Sequence, residues 1–120
     1  MGREDHRLDA RTPGVQLIAT QTDRSPDFVK DLAYNLRARS AKLVFVQGSV
    51  NGGKPMLTVM LGDEITAQGV NAGAVVREAA KLMQGGGGGQ NFFATAGGKN
   101  PDGLQAAIDK AVELILAQLH

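Results

Sequence analysis

Five consecutive glycines, Gly85 to Gly89, interrupt the second half of this 120-residue chain. A helix does not run through them, because each glycine costs about 1 kcal/mol relative to alanine in a helix interior. Any helix before the run must end at it, and the run itself reads as a loop. It has company. The chain holds sixteen glycines, fourteen of them between residues 48 and 103, about double the usual share of roughly 7%. A second pair, Gly97-Gly98, follows after a short apolar segment.

Around these breaks the apolar residues fall into regular patterns. Residues 15–20 read as a strand. Ser25-Pro26-Asp27 is a helix start: a capping hydroxyl, a proline suited to the first turn and an acid for the positive dipole end. Phe28, Val29, Leu32, Ala33 and Leu36 then lie on one face of a helix over 26–39. Leu43 to Val46 and Met56 to Leu61 are apolar runs separated by the turn residues Asn51-Gly-Gly-Lys-Pro55, which predicts a hairpin. Asn71 caps a third segment, whose apolar residues through Met83 fit a helix. Residues 90–96 read as a strand, and Asn100-Pro101-Asp102 opens a last helix over 101–119. The sum is a single α/β domain. Its mixed sheet combines a parallel crossover with an antiparallel hairpin and is packed by three main helices.

Composition narrows the chemistry. No cysteine is present, so disulfides, thiolate zinc sites and thiol nucleophiles are excluded. Both histidines lie near the ends, His6 and His120. The acids sit at helix starts or on polar helix faces, where dipole and solvation explain them. Asp63-Glu64 reads as a turn or helix start. No Walker or dinucleotide fingerprint occurs: the glycine run follows a helix instead of opening one. Residues 1–13 are polar and lack the apolar run of a signal peptide, so they read as a flexible leader or linker before a domain over 14–120. No stretch approaches the ~20 apolar residues that span a bilayer. A cytoplasmic setting without membrane contact is expected. A net charge of +1 gives no global attraction to nucleic acid, so any such attraction must be local.

The local candidate is the glycine tract. Backbone without Cβ atoms allows close approach of a ligand, and successive N–H groups form anion-binding concavities. Arg77 and Lys81 precede it, and Lys99 follows Gly97-Gly98. That composition suits a sugar–phosphate backbone. The plain alternative is a sharp loop with no ligand, and spacing does not separate the two. Phe92 and Phe93 adjoin the tract; one can stack on a base, although strand alternation sends at least one to the core.

Asn71-Ala72-Gly73, a helix, Gly85 to Gly89, then Ala94-Thr95-Ala96-Gly97-Gly98 before a final helix resembles the DHH-associated family, the C-terminal module of alanyl-tRNA synthetases. The resemblance spans about residues 14–118. It implies an accessory tRNA-binding domain of an enzyme that ligates alanine to tRNA with ATP. The implied partners are tRNA, specifically tRNA-Ala, the catalytic and editing domains of the parent, and a second copy of the domain. A chain this short has no room for an adenylate-forming domain, so it reads as a piece that is not catalytic by itself and holds no cofactor. The implied binding residues are Gly85, Gly86, Gly87, Gly88, Gly89, Gln90, Gly97 and Gly98, flanked by Arg77, Lys81 and Lys99. Family members often carry a basic residue after the tract, where this chain has Gln90. Two other roles compete. One is an assembly module using the Ile108, Val112, Ile115 and Leu119 face of the last helix. The other is the nucleotide-binding substrate domain of a DHH-type phosphoesterase.

Overall fold

The computed structural model describes residues 15–118, residue 23 excepted. The proposed leader 1–13, both histidines and Leu119 lie outside that range. Strand β1 (Gln16–Thr22) runs through helix α1 (Pro26–Arg39) into strand β2 (Leu43–Asn51). β1 and β2 pair in parallel, Gln16 opposite Leu43. The chain reverses at Gly52 and Gly53, with φ of 61° and 80°, the two-residue turn whose twist suits a hairpin. It returns antiparallel as β3 (Lys54–Leu61). The expected parallel crossover and antiparallel hairpin are therefore both present.

The remainder is a short helix α2 (Asp63–Thr66), helix α3 (Ala72–Ala79), strands β4 (Gly86–Gly89) and β5 (Phe93–Gly97), and helix α4 (Leu104–Ala117). Single 3₁₀ turns over Ala80–Met83 and Pro101–Gly103 follow α3 and precede α4, where continuous helix was expected. The sheet order is β1-β2-β3-β5-β4. None of the helices described is long and apolar enough to cross a membrane.

Both faces of the sheet are covered at the first half of β2, which explains its continuous apolar run Leu43 to Val46. Leu43 and Phe45 pack with Met60 against Val29 and Ala33 of α1. Val44 and Val46 point the other way, into a larger core with Val75, Val76, Ile108, Val112 and Ile115 of α3 and α4. The α4 face considered above for assembly is thus spent on the sheet: Ile108, Val112 and Ile115 are all buried.

The glycine tract differs most from expectation. Four of its five residues form an edge strand, with Gly86 opposite Gly97 and Gly89 opposite Ala94. Gln84, in the left-handed region at φ 56°, ends the preceding turn. The Gln90 N–H donates to the Phe93 carbonyl at 2.9 Å and closes the β4–β5 hairpin. Glycine has no strand propensity; pairing with β5 supplies the order its own side chains do not.

The capping residues behave as read. The Ser25 hydroxyl accepts from the Phe28 N–H at 3.2 Å and the Asn71 side chain from the Ala74 N–H at 3.1 Å. Asn71→Ala is expected to lower stability by about 1 kcal/mol. A shifted urea midpoint at constant m-value would show it; an unmoved midpoint would contradict it.

Candidate nucleic-acid interface

The two faces of β4 have different needs. On the α3 side, a Cβ at Gly85 would overlap the Gly97 carbonyl oxygen, and one at Gly87 would overlap the Thr95 carbonyl and Ala96. A Cβ at Gly89 would come 2.7 Å from the Phe93 oxygen. Ala94 and Ala96, both buried, face the same way. Helix α3 closes this side. The Ala72 N–H donates to the Asn91 carbonyl at 2.8 Å. A Cβ at Gly73 would stand 3.1 Å from the Gly89 oxygen. The Asn71-Ala72-Gly73 start, the odd-numbered glycines and the two alanines are therefore one packing unit.

On the opposite side, Cβ atoms at Gly86, Gly88 and Gly97 would meet nothing within 4 Å. Those three residues leave a bare backbone floor. Polar groups share this sheet face. Gln47, Ser49 and Thr58 are buried, and the Gln47 Nε2 donates to Thr20 Oγ1 at 2.9 Å. Gln47 Oε1 and Ser49 Oγ have no hydrogen-bond partner among the described residues.

At one end the floor opens into a groove of about 980 Å³. Gly85, Gly86, Gly97, Gly98 and Lys99 line it, together with the hairpin turn from Asn51 to Met56, Lys54 included. The Gly98 N–H donates to the Pro55 carbonyl at 3.0 Å, which lays the two turns side by side. Lys54 and Lys99 are both exposed, and neither is ion-paired among the described residues. Two ammonium groups beside Cβ-free backbone form a place for a polyanion.

The residues singled out from sequence divide accordingly. Gly85, Gly86, Gly97, Gly98 and Lys99 meet at the groove. Gly87, Gly88 and Gly89 lead away from it along β4, and Gln90 is exposed in the hairpin turn. Arg77 and Lys81 do not line the groove: Arg77 is on α3, and Lys81, in the following turn, pairs with Glu78 at 3.1 Å. Lys54 was not singled out. A signal existed, because the tripeptide Gly-Gly-Lys occurs twice, at 52–54 and 97–99.

Comparison with known proteins adds three findings. The family described as DHHA1 domain matches residues 14–117. An alanine–tRNA ligase of Bacteroides thetaiotaomicron is 55% identical over 102 residues, covering 84% of this chain and 12% of that protein. Alanine–tRNA ligase 1 of Lachnoclostridium phytofermentans is 38% identical over 107 residues, covering 88% and 12%. The chain thus spans about one eighth of the curated relatives it matches. Among solved structures, the C-Ala domain of Aquifex aeolicus alanyl-tRNA synthetase superposes with a TM-score of 0.68 at 33% identity, covering 88% of this chain and 89% of that one.

Proposed function

This chain belongs to the DHHA1 domain family and has the fold of the C-Ala domain of an alanyl-tRNA synthetase, and from that premise we propose that it is a tRNA-holding module. In this reading it serves an enzyme that ligates alanine to tRNA-Ala in the cytoplasm. The module contributes affinity and placement, and the chemistry belongs to the catalytic and editing domains of the parent. One observation carries the proposal: two Gly-Gly-Lys segments, distant in sequence, meet at a single open groove beside a Cβ-free floor. Lysines supply charge to phosphates, and bare backbone lets a ribose–phosphate chain approach closely. The identity to alanine–tRNA ligases favours this reading over a phosphoesterase substrate domain.

The test is binding of the 120-residue chain to a tRNA-Ala transcript across a salt series. Affinity is expected in the micromolar range, about 10⁻⁶ M at low salt, with log K falling linearly in log salt as counterions are released. No binding at low salt above that of a neutral protein of the same size would refute the proposal.

A further inference from the structure

Three of the four aromatic residues that the core does not fully enclose, Tyr34, Phe92 and Phe93, collect at the other end of the glycine floor; the fourth, Phe28, lies apart in the first turn of α1 beside Arg24. Tyr34, on α1, is 42% exposed. Its ring centroid lies 6.4 Å from that of Phe92, nearly perpendicular at 77°, and 5.4 Å from that of Phe93. Both phenylalanines are half-buried and back the tyrosine from the β4–β5 hairpin. The Arg37 guanidinium stands 4.5 Å over the Phe92 ring. Its Nε donates to the Leu61 carbonyl at 3.0 Å, and it pairs with Asp63. Rings from two different elements are therefore braced together with one aromatic still open to solvent and a cation alongside.

Phe93, Thr95 and Gly97 alternate onto one side of β5, the side of the bare floor. Phe93 and Gly97 are four residue steps apart along β5, so at about 3.3 Å per step the aromatic cluster lies roughly 13 Å from the groove. Gly86 and Gly88 place no side chain in between, and Thr95 is the one side chain that β5 puts there. We propose that Tyr34, backed by Phe92 and Phe93, is a nucleobase-stacking site for the same RNA whose phosphates Lys54 and Lys99 hold. This rests on the RNA-binding reading above. Stacking on a braced ring needs no base-specific hydrogen bond, because every base presents a π-face. Arg37, paired with Asp63 and bonded to the Leu61 carbonyl, braces the Phe92 ring. The occupant is thus an exposed base of a folded RNA, read by stacking.

The sequence supplies the probe. Tyr34 is the chain's one tyrosine, and there is no tryptophan, so intrinsic fluorescence reports on this ring alone. The 120-residue chain is titrated with a tRNA-Ala transcript and, separately, with inorganic polyphosphate as a polyanion without bases. The tRNA is expected to quench Tyr34 emission saturably, with the same midpoint as a filter-binding curve, while polyphosphate leaves the emission unchanged. Tyr34→Leu is expected to weaken tRNA binding about tenfold without altering its salt slope, and Tyr34→Phe to keep full affinity. Binding at full affinity with unaltered emission overturns the stacking site and leaves the groove standing. Equal affinities for the Leu and Phe variants do the same. Absence of tRNA binding removes the RNA-binding reading and this inference with it. Should Tyr34→Leu fail to fold, the quenching of the unmodified chain decides.

Discussion

Gly87→Ala is expected to disrupt the β4 edge of the sheet, whereas Gly88→Ala, one residue away, leaves the fold intact. A methyl group at Gly87 has to share space with the Thr95 carbonyl and the Ala96 backbone. These are strand atoms, held by pairing on both sides, and cannot swing away as a flexible side chain would. Overpacking against fixed neighbours costs about 3 kcal/mol at the upper end of the usual range. That is a large share of the roughly 5–15 kcal/mol that holds a domain together. At Gly88 a methyl meets nothing within 4 Å, and loss of unfolded-state freedom stabilises the variant by about 0.5 kcal/mol. Urea unfolding of the two variants reads the contrast directly. Equal midpoints would mean that the tract is not the alternating strand described above. The contrast has a functional side as well. Gly88 forms part of the open floor, so its alanine variant should fold normally and yet bind tRNA more weakly.

The largest effect on binding is expected from the double variant Lys54→Ala with Lys99→Ala. In the proposed tRNA-holding role each lysine would make a charge-assisted contact to phosphate, and its loss is expected to weaken binding about tenfold at low salt. The pair together should lose about a hundredfold, and the slope of log K against log salt should fall by about two. Lys81→Ala serves as the internal comparison. Lys81 is paired with Glu78 and does not line the groove, so affinity and slope should hardly change. A Lys81 variant as weak as the Lys54 variant would move the interface to the α3 side of the domain.

Most of the fold was legible because its signals are local. Ser25 and Asn71 announce helix starts by the geometry of a short polar side chain near an N–H donor. Gly52-Gly53 announces a hairpin because few other residues accept positive φ twice in succession. The α4 stripe was equally plain in its spacing, but spacing alone does not say what a stripe packs against. Only the structure assigns Ile108, Val112 and Ile115 to the sheet.

The candidate groove was half legible. Of the residues singled out from sequence, Gly85, Gly86, Gly97, Gly98 and Lys99 line it, whereas Arg77 and Lys81, chosen for their place near the tract in sequence, do not. Proximity along a helix is not proximity across a sheet. α3 approaches β4 on the packed side, and the groove opens at the other end, where the β2–β3 turn brings in Lys54.

The sequence by itself determined that helix must stop before Gly85, that the domain is α/β with one parallel crossover and one hairpin, and that it carries the motif of its family. Each of these follows from short-range rules: capping, turn conformation, hydrophobic period and the cost of glycine in a helix. Only the tertiary structure decided that the glycines form a strand, because a residue without a side chain has no periodicity to read and takes its order from the partner it pairs with. It also decided which glycines are packed and which are bare, since that alternation is fixed by what lies above and below the sheet. The meeting of Lys54 with Lys99 belongs to the same class: forty-five residues apart in sequence, they are joined only by the antiparallel register of β3 on β5.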